Sequence, residues 1–266
     1  MNEESDRRLL LDGVPDFWER LRVSPSRCLI LDYDGTLAPF RVNRMRAFPL
    51  DGVRDLIEAI RDTGKTHLAI VTGRPLRELL ELLGDMRIPV SASQGVEYYD
   101  PEGHAWVHQP SPRQERRLAR AADEAAELGL SSFIERKAAS LALHTRPMAP
   151  EDAERSEEQL CAVWDKDAAA NDLECRHFNG GIELRLLDID KGTVLERLLD
   201  GGPPDAFCVY VGDDETDEDA FHAIRGRGIG VRVGDPAVPT KAEGRLADPA
   251  AVKEFLEAWL EITSRL

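Results

Sequence analysis

The chain has 266 residues, 42% of them hydrophobic, and its 50 acidic against 34 basic residues give a formal net charge of −16. An apolar share of that size supports a packed core of one domain or two modest ones and excludes a disordered chain, while no apolar run approaches the roughly 18 residues that span a bilayer. The acidic balance lacks the basic face of a nucleic-acid binder, and it admits an anionic substrate only at a site that is locally positive or holds a metal.

The N-terminal stretch Met1-Asn2-Glu3-Glu4-Ser5-Asp6-Arg7-Arg8 is charged and leads into no signal-peptide apolar region. A first strand is expected at residues 28–31. Val53, Leu56, Ile57 and Ile60 then mark one helical face, stopped by Gly64. A strand over 67–71 ends at Thr72-Gly73-Arg74, Pro75 suits a first helical turn, and Leu76, Leu79, Leu80 and Leu83 share a face that Gly84 closes. A third strand is expected at 89–92. Strands alternating with helices imply a parallel sheet with right-handed crossovers.

From about residue 104 the pattern changes. Trp106-Val107-His108 reads as half a hairpin around Asp100-Pro101-Glu102-Gly103. Helices follow at 113–128 and from 150 to about 170, with a strand at 140–145 between them. Ile182, Leu184 and Leu186 alternate with Glu183 and Arg185, which predicts a half-buried strand. After Asp190-Lys191-Gly192 the alternation resumes, with a helix at 194–199, a strand at 207–211, a helix at 218–224, a strand at 229–233 and a last helix at 250–263. The expected architecture is α/β, a Rossmann-like core with a parallel sheet carrying an inserted α+β cap. Cysteines 28, 161, 175 and 208 include no close pair, so neither a zinc site, a redox motif nor a disulfide framework is expected, and a reducing cytoplasm is the expected compartment.

Two apolar runs end abruptly in carboxylates: Cys28-Leu29-Ile30-Leu31 in Asp32-Tyr33-Asp34, and Cys208-Val209-Tyr210-Val211-Gly212 in Asp213-Asp214-Glu215-Thr216-Asp217. Continuous apolar runs are the mark of buried parallel strands, and ligands of open α/β sheets bind beyond the carboxyl ends of such strands. Acids crowded there repel one another unless a cation lies between them, and a hard ion such as Mg2+, held by carboxylates and substrate phosphate, suits them. Asp32 suits a nucleophile toward phosphorus, and Asp34 a general acid and base. Thr72 offers a hydroxyl, and Lys191, at a helix start, a fixed positive charge. Asp213, Asp214 and Asp217 can complete a metal shell, directly or through water. A calcium loop is excluded, because residues 37–40 are apolar where further oxygen ligands are required. Gly212-Asp213-Asp214-Glu215-Thr216-Asp217-Glu218-Asp219 also reads as an acidic first turn of a helix, which is compatible with a site.

These motifs resemble those of the haloacid dehalogenase superfamily. Leu31-Asp32-Tyr33-Asp34-Gly35-Thr36-Leu37-Ala38-Pro39 and Gly212-Asp213-Asp214-Glu215-Thr216-Asp217-Glu218-Asp219-Ala220-Phe221 resemble its trehalose-6-phosphate phosphatase family, a likeness running from about residue 24 to the end. The resemblance implies a phosphatase for trehalose 6-phosphate with Mg2+ as cofactor and an aspartyl-phosphate intermediate, acting on a phosphorylated disaccharide or glycoside, with no nucleic-acid or membrane partner. Asp32 would be the nucleophile, Asp34 the acid and base, and Thr72 and Lys191 the phosphate holders, with Gly73 and Arg74 beside the substrate. Asp32, the Asp34 backbone carbonyl and Asp213 would bind the metal, with Asp214 and Asp217 in or near its outer shell. Glu135, Lys137, Arg146, Asn179 and Glu183 resemble sugar-contacting positions, although charged groups on a cap strand can equally be solvent-facing ion pairs. The implied core covers 1–107 and 186–266, and the cap 108–185, moving about crossovers near 104–108 and 185–188.

Two departures stand out. Ala92-Ser93-Gln94-Gly95 occupies the place of a Gly-x-His-Gly type segment, and Gly181 stands where a lysine is often found. They keep open a related substrate such as glucosylglycerol phosphate, glucosylglycerate phosphate or sucrose 6-phosphate. Two other functions are weighed against hydrolysis: a non-catalytic regulatory module, disfavoured because Asp32 and Asp34 are both present, and phosphoryl transfer to another acceptor, as in a phosphomutase.

Overall fold

The computed structural model describes residues 11–84 and 86–266, so the charged Met1–Arg8 stretch lies outside the described residues. Among the described residues the first helix is α1 (Phe17–Val23), followed by β1 (Ser26–Leu31), α2 (Val53–Asp62), β2 (His67–Val71), α3 (Leu76–Leu83), β3 (Val90–Ala92), β4 (Glu97–Tyr99) and β5 (Ala105–Val107). The middle of the chain supplies α4 (Pro112–Glu127), β6 (Ile134–Arg136), β7 (Leu141–His144), α5 (Pro150–Trp164), β8 (Leu173–Phe178) and β9 (Gly181–Leu186). The chain then runs through α6 (Lys191–Gly201), β10 (Ala206–Gly212), α7 (Asp217–Ile224), β11 (Gly228–Val233), β12 (Gly244–Leu246) and α8 (Pro249–Ser264).

Eight strands form one sheet in the order β12-β11-β10-β1-β2-β3-β4-β5. The strands from β12 through to β3 pair in parallel, and the β4–β5 hairpin adds an antiparallel edge. The chain winds outward from β1 through β2 and β3, then returns to β1's other side at β10. The crevice between β1 and β10 is therefore the topological switch point, where such sheets bind ligands. Both faces of β1 and β10 are covered. Leu29, Leu31, Val209 and Val211 pack in one layer with Val252 and Trp259, while Ile30 and Tyr210 pack in the other with Leu195 and Phe221.

A second sheet, antiparallel in the order β6-β7-β9-β8, is backed by α4 and α5. Its core joins Leu143, Ile182 and Leu184 to Leu118, Leu160 and Trp164. This is the expected parallel core with an α+β cap.

Several expectations change in detail. The helix expected to reach residue 170 ends at Trp164, its last buried anchor. The chain then turns through a short 3-10 segment to Asp172, whose φ of 55° is left-handed, and enters β8. β8, β12 and α1 are elements that the sequence patterns did not single out. β9 is not half-buried: Glu183 and Arg185 are each 3% exposed, as covered as their apolar neighbours. It is an inner strand whose polar side chains are buried in ion pairs, Glu183 with Lys137 of the cap, and Arg185 with Glu174 on β8 and Asp219 on α7. The scattered cysteines also meet: Cys28 and Cys208 are register partners on β1 and β10, and the thiols of Cys161 and Cys175 lie 2.7 Å apart. No helix among the described residues is long and apolar enough to cross a membrane.

Candidate active site

Four strand ends meet at one cavity, which Asp32, Thr72, Gln94 and Asp214 line. Asp32 follows β1, Thr72 follows β2, Asp213 follows β10, and Ser93-Gln94 follow β3. Asp32 is locked to the switch point by its N–H, which donates to the Val211 carbonyl at 2.9 Å. Lys191 is the first residue of α6. Its helix starts at Asp190 with a reciprocal cap: Asp190 accepts from the Thr193 N–H at 2.7 Å, and the Thr193 hydroxyl accepts from the Asp190 N–H at 3.1 Å. That start aims Lys191 Nζ at Asp32 (2.8 Å) and Asp217 (2.6 Å), all three nearly inaccessible.

Asp217 has both oxygens occupied. One accepts from Lys191 and from the Tyr210 hydroxyl (2.5 Å), and the other from the N–H groups of Asp213 (2.9 Å) and Asp214 (2.8 Å). Carboxylate oxygens of Asp32, Asp213 and Asp217 all lie within 4.8 Å of one another. Gly35, at φ 78°, lets the first loop approach this cluster, since a Cβ there would stand 2.2 Å from an Asp213 oxygen. Asp34 and Asp214 stand apart from the three. The Asp34 carboxylate accepts from Arg74 Nη2 at 2.7 Å, and Asp214 accepts the Asn179 N–H at 3.0 and 3.1 Å. Thr72 is 1% exposed, and its hydroxyl oxygen accepts the Arg74 N–H at 3.2 Å.

The charges explain the electrostatics. Burial, with the like charges of Asp217 and Asp34, pushes the Asp32 carboxyl up to about 8 despite Lys191. Burial and the neighbouring aspartates drive Asp213 well above the ordinary carboxylate range. Burial opposes the charge on Lys191, but Asp217 and Asp32 overcome it and hold the ammonium above its usual value.

The cap covers the cavity from above. Glu135 on β6, Lys137, Glu183 on β9, Arg146 and Asn179 all line it together with Gly73 and Arg74. The cavity is far less acidic than the chain as a whole: Arg41, Arg44, Arg74, Lys137, Arg146 and Lys191 face it and balance the carboxylates of Asp32, Asp34, Glu78, Glu135, Glu183 and Asp214. Lys137 Nζ spans cap and core, donating to Glu183 at 2.9 Å and to the Gly73 carbonyl at 3.0 Å. Glu135 pairs with Arg44 at 2.6 Å and with His144 at 2.7 Å, and Arg44 also holds Glu78 at 2.7 Å. The Arg146 guanidinium lies 4.4 Å from the Phe40 ring centre. Arg44, Glu78, Phe40 and Phe178 are wall residues that the sequence reading missed, while His144 was named only as a neighbour of Arg146; Glu78 lies on α3, Arg44 in a 3-10 turn and Phe178 at the end of β8, none with a motif of its own.

A family model described as Trehalose-phosphatase matches residues 30–250. Among curated relatives, "Trehalose 6-phosphate phosphatase RA3" of Zea mays is 31% identical over 253 residues, covering 86% of this chain and 68% of the relative. "Probable trehalose-phosphate phosphatase 3" of Oryza sativa is 30% identical over 260 residues, covering 88% and 69%. Among solved structures, the C-terminal domain of C. albicans trehalose-6-phosphate phosphatase superposes with a TM-score of 0.82 at 23% identity, over 96% of this chain and 97% of that one. A haloacid dehalogenase-like hydrolase from B. subtilis does so at 0.62 and 16%, over 87% and 99%. Both structures share the fold.

Proposed function

The chain belongs to the trehalose-phosphatase family and is a phosphoric monoester hydrolase; from that premise we propose that it hydrolyses trehalose 6-phosphate to trehalose and phosphate through an aspartyl-phosphate on Asp32. One observation carries the reading: Lys191 Nζ stands 2.8 Å from Asp32 and 2.6 Å from Asp217 at the switch point, beneath a cavity walled by polar cap side chains.

Asp32 would attack phosphorus, while Asp34 gives its proton to the departing sugar oxygen. Asp34 would then take a proton from the water that attacks the aspartyl-phosphate, releasing phosphate and restoring Asp32. Lys191 and the Thr72 hydroxyl are suited to hold the phosphoryl oxygens. Arg74, bound to Asp34 and to the Arg44 carbonyl, fixes the acid and base in place. Asp32, Asp213 and the Asp34 backbone carbonyl are proposed to hold Mg2+. The donor chemistry fits: hard oxygens are crowded and poorly solvated, and burial together with the neighbouring aspartates displaces both Asp32 and Asp213 upward, a destabilisation of their charged forms that a cation relieves. Bound there, the ion would offset the negative charge that opposes attack on a phosphate. Asp217, with both oxygens taken, would orient Lys191, and Asp214 would anchor the Asn179 loop.

Glu135, Lys137, Arg146, Asn179 and Glu183 are proposed to bind the sugar hydroxyls. The division into a core of 1–107 and 186–266 and a cap of 108–185 is proposed on the separation of the two sheets. The cytoplasm is the proposed compartment, on the four free thiols. Gln94 and Gly181 favour a second reading of the substrate, a related phosphorylated glycoside. Phosphate release with Mg2+ from trehalose 6-phosphate, sucrose 6-phosphate, glucosylglycerol phosphate, glucosylglycerate phosphate and glucose 6-phosphate separates the two. Strong preference for the first supports trehalose 6-phosphate, and preference for another glycoside reassigns the cap.

A further inference from the structure

The segment Ala92-Ser93-Gln94-Gly95, joining β3 to β4, holds two non-glycine residues in left-handed backbone, Ser93 at φ 48° and Gln94 at φ 60°. Such conformations persist only where the surroundings over-determine them. Here the Ser93 N–H donates to the Arg74 carbonyl at 2.7 Å, the Gln94 N–H to the Thr72 carbonyl at 3.0 Å, and the Ser93 hydroxyl to Glu97 at 2.5 Å. Helix α6 closes the other side, since a Cβ on Gly95 would lie 2.3 Å from Val194.

What this holds in place is the Gln94 side chain. It is 5% exposed, lies on the cavity wall, and packs its carboxamide against Gly73, where an added Cβ would meet Nε2 at 2.7 Å. Its Oε1 is buried without a hydrogen-bond partner among the described residues. An unpaired buried carbonyl is destabilising, and this one borders a ligand cavity. It lies between the Thr72 end, suited to phosphate, and Lys137 of the cap, which binds the Gly73 carbonyl.

We propose that the Gln94 carboxamide hydrogen-bonds a ring hydroxyl of the phosphorylated sugar and so determines specificity. The contact rests on the sugar-phosphate reading above. A hydroxyl matches because it both donates and accepts, as a carboxamide does. A phosphate dianion offers no proton to the buried oxygen and would be repelled by it.

The test uses the full chain with Mg2+ and compares trehalose 6-phosphate with 4-nitrophenyl phosphate, which has no sugar hydroxyls. Gln94→Leu removes the amide at similar volume. Gln94→Asn withdraws it while keeping a residue that tolerates left-handed backbone, so it covers failure of the leucine variant to fold. Each is expected to lower kcat/KM for the sugar phosphate by about tenfold, the loss of one buried hydrogen bond, chiefly through KM. Activity on 4-nitrophenyl phosphate and the melting temperature of the asparagine variant should stay within about twofold and a few degrees of wild type. Equal losses on both substrates, or none on the sugar phosphate, would overturn the contact alone. A wild-type enzyme active on 4-nitrophenyl phosphate and on no sugar phosphate would overturn the substrate reading and the contact with it.

Discussion

Asp32 and Lys191 form a pair that neither residue could sustain alone in so dry a place. An ammonium and two carboxylates buried together are tolerable because Tyr210 and two backbone N–H groups complete Asp217. Replacing Asp32 by Asn keeps the volume and the fold but removes the nucleophile. Turnover should fall by about ten-thousand-fold or more with little change in the melting curve; retained phosphate release would sink the mechanism. Chelation should abolish activity, and added Mg2+ should restore it and raise the melting temperature of the wild type. A melting temperature indifferent to Mg2+ would count against a metal at Asp32 and Asp213. Both aspartates were legible as a pattern, because each ends an apolar run. Gln94 was legible only as a departure, since its backbone strain and its unpaired oxygen exist only in the folded chain.

At the scale of elements, strand ends and helix starts do the positioning. Lys191 reaches Asp32 because the Asp190 cap makes it the first residue of α6. Asp190→Ala removes the side-chain cap, which should cost about 1 kcal/mol and lower kcat several-fold as Lys191 loses its anchor; circular-dichroism melts and initial rates measure the two. An unchanged kcat would show that packing against Asp217 alone sets the lysine. Gly35→Ala should abolish activity, because it places a Cβ on Asp213 and strains a backbone at φ 78°. The core strands were readable because parallel strands buried on both faces are continuously apolar. β9 misled for a matching reason: alternation reports polarity, and its polar face is buried in ion pairs rather than in water.

For the whole molecule, the cap is held down by side chains from both bodies. Arg44 of the core joins Glu78 to Glu135 of the cap, and Lys137 of the cap reaches the Gly73 carbonyl. Arg44→Ala should raise KM several-fold and increase the radius of gyration by scattering without substrate, and identical scattering profiles would argue for a rigid cap. The Glu135 bridge also carries a pH signature. Burial works to raise its carboxyl, but the His144 hydrogen bond and the charges of Lys137, Arg44 and His144 outweigh it and bring it down to about 2 from 4.5. A carboxyl depressed on folding adds stability above its unfolded value and loses it as pH falls through its folded one. The stability difference between wild type and Glu135→Gln should therefore shrink from pH 5 to pH 2 in paired melts, and a constant difference would remove the bridge from the account.

The sequence by itself determined the α/β core, the alternation of its central strands and helices and the carboxylate, threonine and lysine motifs, because these follow from local periodicity and from where apolar runs stop. Only the tertiary structure decided which of five aspartates share a cluster, which cap side chains face the cavity, and that Arg44, His144 and Gln94 belong to its wall. Those depend on contacts between residues far apart in the chain, across two sheets whose relative placement no local pattern encodes.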